Sequence, residues 1–277
     1  MRVLGFFLLC LLPAFGFSRP VKAPTSPLEG RIAYYVGLYS QVGGQLQSSD
    51  DLAAFVERLE RKQTNFKQTS DFLEHIFNKT HQKFLRNFSE YAAFPEMLNS
   101  GNYNCLTGTV LYALILDHFD IRYKIIETNY HIFLLAQTDE GPILFETTDP
   151  VSGFVNNSAE IEKRITSYKQ NSLQSSSSKT YYRYNFDLYN SVNLDQIQGL
   201  LHYNISIVAF NAKDIRQAIE ELGKAMEFYQ SPRFDEFSRV ILLTIMEGDL
   251  DPSEKERCLN SIRALRDKNV IVTASRN

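Results

Sequence analysis

Cys105, His131 and Asp149 stand in an order that suits acyl chemistry. Cys105 follows the turn-forming stretch NSGNYN (99–104) and opens the apolar run CLTGTVLYALIL, where Val110, Leu111, Leu114 and Ile115 recur at helical spacing. A thiol at the start of a helix faces unpaired backbone N–H groups with partial positive charge. That field favours the thiolate, the form that attacks carbonyl carbon. A thiolate nucleophile also needs a group that takes and returns protons near neutral pH, and histidine has that capacity. His131 opens the strand-like run HIFLLAQ, and Asp149 ends the next one, ILFETTD, with TDEGP between them as the turn. A hairpin symmetric about Glu140 puts Leu135 opposite Phe145, Phe133 opposite Thr147 and His131 opposite Asp149. Opposed residues share a face with Cβ atoms about 4.5–5.5 Å apart, so Asp149 is expected to orient the His131 ring. The assignment depends on register, because a slip by one residue turns the pair apart. For the oxyanion of a tetrahedral intermediate, the Cys105 N–H is the first expected donor. Asn99 offers a side-chain amide, with Asn102 and Asn104 as rivals; turn building or helix capping is the alternative use of all three.

The elements that must hold these residues follow from periodicity. Leu52, Phe55, Val56 and Leu59 form one helical stripe; Phe72, Ile76 and Phe77 begin another, continued by Phe84, Leu85 and Phe88. Residues 121–129 (IRYKIIETN) are expected as a strand before the His131 and Asp149 strands. Helices, a turn, a helix and then antiparallel strands indicate an α+β fold. The chain is expected to turn helical again from Leu194, with a strong helix over 212–229 and an N-terminal cap at Asp251-Pro252-Ser253-Glu254. The expected organisation is a signal peptide (1–18), an extended Pro-containing leader (19–49), a catalytic α+β domain (50–190) and a helical extension (191–277). The polar stretch 171–179 (NSLQSSSSK) is expected as an exposed loop.

The signal peptide rests on Arg2, the apolar run from Val3 to Phe17, and small residues at Ala14, Gly16 and Ser18. An uncleaved anchor is the alternative. No later apolar run exceeds VLYALIL (110–116), so no transmembrane segment is expected after cleavage, and the chain is expected to be exported to a periplasmic or extracellular space. With 29 basic and 32 acidic residues the net charge is −3, which leaves no basic surplus for nucleic acid. Of three cysteines, Cys10 leaves with the signal; Cys105 and Cys258 remain as two thiols or one disulfide. Cys258, Ile262 and Leu265 share a helix face, which suggests core packing. His75 and His81 are expected to be solvated, and His202 to lie on the surface of the helical tail. His118, beside Asp117 and Asp120, reads as a solvated helix end. No metal-ligand spacing and no phosphate loop occurs, so neither metal nor cofactor is expected. Asn-X-Ser/Thr sequons begin at Asn78, Asn87, Asn156 and Asn204 and matter only in a glycosylating source.

The blocks NYNCLTGTVLYALILDHFDIRYKI, NYHIFLLA and ILFETTDP, within about 91–153, resemble the transglutaminase-like family in order and spacing. The resemblance implies a papain-like core and a Cys-His-Asp triad, with Cys105 as nucleophile, His131 as base and acid, and Asp149 as orienter. Two departures stand out. Phe133 follows the histidine where many members have Trp, and no Trp occurs in the chain; Gly101 lies four residues before Cys105. Residues 200–232 (LLHYNISIVAFNAKDIRQAIEELGKAMEFYQSP) resemble one tetratricopeptide repeat, with Ala218, Leu222 and Ala225 in its small–large–small positions, in the layout of bacterial transglutaminase-like proteins with helical tails. One unit is too few for a solenoid of about three, so these helices are expected to pack on the catalytic domain or to offer a protein-partner surface.

The expected function is that of an exported cysteine hydrolase or acyl-transferase acting on an amide bond in a protein or peptide substrate. The alternatives are a non-catalytic binding or scaffold module that recruits a protein partner through its helical tail, and an envelope-assembly factor without chemistry of its own.

Overall fold

The computed structural model describes residues 26–39, 49–171 and 188–274. The expected signal peptide, parts of the expected leader (19–25 and 40–48) and nearly all of the polar stretch 171–179 lie outside the described residues. Within the expected leader, Pro27–Gly37 forms helix α1. The Ser26 hydroxyl accepts from the Glu29 N–H and the Glu29 carboxylate accepts from the Ser26 N–H, both at 3.2 Å. This capping box has Pro27 at the first helical position, where a missing N–H costs nothing. Leu28, Ile32, Tyr35 and Val36 are buried, so an extended leader is corrected here to a core helix.

Helices α2 (Ser49–Gln63) and α3 (Thr69–Phe84) bury the two expected apolar stripes. The second stripe stops earlier than expected. Phe88 lies in β1 (Asn87–Phe88), is 61% exposed, and belongs to a strand paired in parallel with β2 (Asn102–Tyr103). Between them, α4 (Phe94–Ser100) ends at Gly101, whose left-handed backbone (φ 78°) suits glycine. Helix α5 (Cys105–His118) is buried from Thr107 through Leu116 without a break, so it is a central helix covered on all sides.

The sheet comprises β3 (Tyr123–Thr128), β4 (Ile132–Thr138), β5 (Gly141–Phe145), β6 (Phe154–Val155) and β7 (Tyr189–Val192), in the antiparallel order β6-β5-β4-β3-β7. Alternation along the strands gives it two apolar faces. Ile125, Ile132, Leu134 and Phe145 join the main core, where α5 packs on β3 and β4. Ile126, Phe133 and Leu144 face the other way, under Ile161, Ile165 and Tyr168 of α6 (Ser158–Asn171). The fold is α+β, as expected, with the sheet between helical layers.

Helices α7 (Leu194–Asn211), α8 (Ile215–Phe228), α9 (Pro232–Glu247) and α10 (Pro252–Ala274) follow. α7 and α8 pack as a hairpin across a short turn, with Ala218, Leu222 and Ala225 fully buried. The expected boundary near residue 190 falls inside β7, which completes the sheet. One contiguous set of buried apolar side chains runs from Leu28 to Ile262, and the Tyr35 hydroxyl donates to the Leu194 carbonyl at 2.9 Å. Among the described residues no helix is long and apolar enough to cross a membrane.

Two histidines expected at the surface are buried. His202 pairs through Nδ1 with Glu221 at 2.7 Å, between α7 and α8. His81 is 6% exposed and lies among Phe77, Tyr103 and Tyr112. Burial pushes its ring down to about 4, against a smaller opposing effect from nearby carboxylates. The folded protein therefore prefers the neutral ring, whereas an unfolded histidine takes a proton near 6.5. Stability held above that pH is lost progressively as pH falls from about 6.5 through about 4. His81→Phe should remove this part of the acid response: between pH 7 and pH 4.5, urea titrations should show the wild type losing about 2 kcal/mol more than the variant. Equal losses in the two proteins would show that His81 does not carry the effect.

Candidate functional site

The N-terminus of α5 is fixed before any chemistry is considered. Asn104 caps it: its Oδ1 accepts from the Thr107 N–H at 2.9 Å, and Thr107 Oγ1 accepts from the Asn104 N–H at 3.0 Å. The Asn104 amide donates to the carbonyls of Glu90 and Ala92 at 2.9 and 3.3 Å, tying the cap to the chain segment before α4. Cys105 is thus the first residue of a capped helix, half-buried, with its N–H among the groups a helix leaves unpaired. Thr147 Oγ1 donates to the Cys105 carbonyl at 3.4 Å. Gly108 permits that approach, since a Cβ there would lie 3.0 Å from the Thr147 Cβ.

His131 is set by the turn between β3 and β4. The Thr128 N–H donates to the His131 carbonyl at 2.7 Å, and the His131 N–H donates to Thr128 Oγ1 at 3.1 Å. The ring hydrogen-bonds Glu146, and Cys105 is close enough to it to help raise its pKa. Nε2 meets Glu146 Oε2 at 2.5 Å. Tyr168 and Phe133 flank the ring, with centroids 5.1 and 6.2 Å away.

Glu146 therefore holds the place expected for Asp149, and register explains why. Leu134 pairs with Phe145 and Thr138 with Gly141, so a two-residue turn, Asp139–Glu140, joins the strands. Symmetry about Glu140 is corrected by one residue; two-residue hairpin loops are the commonest because their twist matches the strands. Continued past β5, the observed register puts Glu146 across from Phe133, on the His131 face. Asp149 instead closes the following loop. Its Oδ1 accepts from the Ser152 and Val151 N–H groups at 2.8 and 3.2 Å, and its Oδ2 lies 3.5 Å from Arg164. Gly153 makes that loop possible: a Cβ there would fall 2.2 Å from the Glu146 carbonyl oxygen.

Glu146 is 4% exposed, and both carboxylate oxygens are satisfied. Oε1 accepts from the Thr148 N–H at 3.0 Å and the Thr148 hydroxyl at 2.6 Å; Oε2 accepts from the Tyr168 hydroxyl at 2.8 Å besides meeting His131. Burial opposes the carboxylate, but the bonds from His131 and Thr148 outweigh it and hold Glu146 at about 2. Burial likewise opposes an imidazolium at His131, but the bonds and negative charge of Cys105 and Glu146 outweigh it and push the ring up to about 10. The imidazolium's contribution to stability is full below about 6.5 and is lost as pH rises through about 10. The carboxylate's is full above about 4.5 and is lost as pH falls through about 2.

The other expected residues are dispersed. Asn99 is on the exposed last turn of α4, Asn102 donates to Glu96 at 2.6 Å, and Asn104 is the cap already described. Cys258 is buried beside Ile262, and both Cys105 and Cys258 are free thiols. His118 meets Glu60 at 2.6 Å. Among the described residues no group of three or more His, Cys, Asp or Glu side chains is arranged to hold a metal. Sequence reasoning missed Glu146 and Tyr168. A signal for the first was present: Glu146 directly continues the apolar run Ile143-Leu144-Phe145, and an acid at a buried strand end needs a partner.

Exchanging the two carboxylates in turn separates their roles. Glu146→Gln should bring the His131 ring down from about 10 toward its ordinary 6.5, read by NMR titration of the imidazole resonances, whereas Asp149→Asn should leave the titration unchanged. The reverse pattern would restore Asp149 as the orienter.

Comparison of the chain with protein-family models, with curated proteins and with solved structures returns no match.

Proposed function

We propose that this protein is an exported cysteine hydrolase or acyl-transferase acting on an amide bond of a protein or peptide, with Cys105, His131 and Glu146 as nucleophile, acid–base and orienter. The observation that carries this proposal is a His131 ring bonded to buried Glu146 and close enough to Cys105, at the start of a capped, buried helix, for the two to raise its pKa together. A nucleophile hydrogen-bonded to a base that is itself held by a third group is the arrangement activated thiols use. The layout supports a transglutaminase-like, papain-like core, in which a helix carrying the cysteine packs on an antiparallel sheet carrying the histidine and the carboxylate. Glutamate rather than aspartate as third member, and Phe133 in place of a tryptophan, depart from that resemblance near the site that would select substrate.

The Cys105 thiolate attacks the carbonyl carbon, a C–S bond forms, and the C=O π pair moves to oxygen, facing the Cys105 N–H at the positive end of α5. The C–N bond breaks, and His131 gives its proton to the leaving amine. Water then adds to the thioester carbon as His131 takes its proton; the C–S bond breaks, and the acid leaves with the thiolate restored. An acceptor amine in place of water gives acyl transfer. Glu146 keeps the ring oriented throughout and balances its charge whenever it is protonated. The amino-terminal run of 1–18, with Arg2 before an apolar stretch, supports export.

Alkylation of Cys105 with iodoacetamide at pH 6, followed by peptide mass mapping, tests the proposal. Wild type should react at least about ten-fold faster than His131→Ala, since an unassisted thiol with a pKa near 8.5 is almost wholly protonated at pH 6. Cys105→Ala should abolish amide turnover on a peptide library. Equal alkylation in the two proteins would describe an inert thiol in a scaffold.

A further inference from the structure

The helices after residue 190 do more than enlarge the core. Glu127, in β3, is 1% exposed and meets residues contributed by the C-terminal helices. The hydroxyl of Tyr229, at the end of α8, donates to its Oε2 at 2.7 Å, and Arg233 Nε, in the first turn of α9, lies 3.0 Å from its Oε1. Arg233 also reaches the turn that carries the candidate base. Its Nη2 donates to the Thr128 carbonyl at 2.7 Å and to the Asn129 carbonyl at 3.2 Å. Thr128 is the residue whose N–H and hydroxyl hold the His131 backbone. A continuous chain of bonds thus joins α9 to His131 through one residue.

Two costs make this arrangement informative. A buried ion pair gains little stability over well-packed apolar groups of the same size. An arginine in the first turn of a helix also faces the positive end of the helix dipole. What the guanidinium supplies that an apolar side chain lacks is an Nη2 that donates to two adjacent carbonyls while the charge of the group lies beside a buried carboxylate. We propose that Arg233, held by Glu127 and Tyr229, is a positioning residue for His131, so that the helical extension is a working part of the site. The proposal rests on the Cys105–His131 reading above for its catalytic meaning, but its geometric content is independent of it.

The test is the paired variant Glu127→Gln/Arg233→Met in the full chain, which removes both charges together and keeps an acceptor for Tyr229. It should stay folded, with a melting temperature lowered by the loss of the Nη2 bonds to the buried Thr128 and Asn129 residues. Its His131 imidazole resonances should titrate measurably closer to 6.5 than those of wild type, and its Cys105 alkylation at pH 6 should slow about ten-fold, a loss a merely structural pair would not cause in a protein that stays folded. If the paired variant fails to fold, Arg233→Lys keeps the charge beside Glu127 but lacks the guanidinium, and the same two readouts apply. An unchanged His131 titration in the folded variant overturns the proposal, whatever the alkylation rate. Wild-type and His131→Ala proteins that alkylate equally would defeat the catalytic reading alone, because the imidazole titration still reports whether Arg233 sets the ring.

Discussion

A carboxylate that is almost wholly removed from water must be paired, and Glu146 is paired through both oxygens. Much of the local architecture answers to that requirement. Thr148 supplies two donors from the loop, Tyr168 supplies one from α6, and the His131 ring supplies the last. The three donor residues come from three different elements, so satisfying one group brings the loop after β5, helix α6 and the β3–β4 turn to a common point. The His131 ring is thereby held near Cys105 at the head of α5, close enough for the two to influence each other's charge.

The same logic explains the close approaches around the site. Gly153 stands where any side chain would collide with the Glu146 carbonyl, and a Cβ at Gly108 would press tightly on Thr147 at 3.0 Å. The first is a condition for the Glu146 loop, and the second lets the Cys105 helix approach it without displacing Thr147. Burial on the two sheet faces does the rest: the main core fixes α5 against β3 and β4, and the small cluster under α6 fixes Tyr168 over Phe133 and His131. Close-packed interiors leave little room for adjustment, so these contacts hold the site geometry. The C-terminal helices belong to this frame, because their core is continuous with that of the sheet.

Much of this was legible in the chain. The Cys105 helix, the strand that follows His131, the α+β order, the start of α7 at Leu194 and the cap at Asp251 all follow from local signals. Their causes act within a few residues, as periodicity, turn chemistry and capping do. Helix α1 shows that a local signal was also passed over: Ser26-Pro27-Leu28-Glu29 carries the same capping pattern as Asp251–Glu254. Buried His81 and His202 were not legible, because polar residues read as surface until a packing partner is known.

The sequence by itself determined that a cysteine opens a buried helix and that a histidine stands at the head of a strand beside it. These facts depend on residue types within one turn or one strand length. Which carboxylate meets the histidine was decided only by tertiary structure. Strand side chains alternate with a period of two, so a one-residue difference in hairpin register exchanges Asp149 for Glu146. Likewise, no local signal links Arg233 to a turn about a hundred residues earlier; only the packing of α9 against the sheet end brings its guanidinium to Thr128 and Glu127.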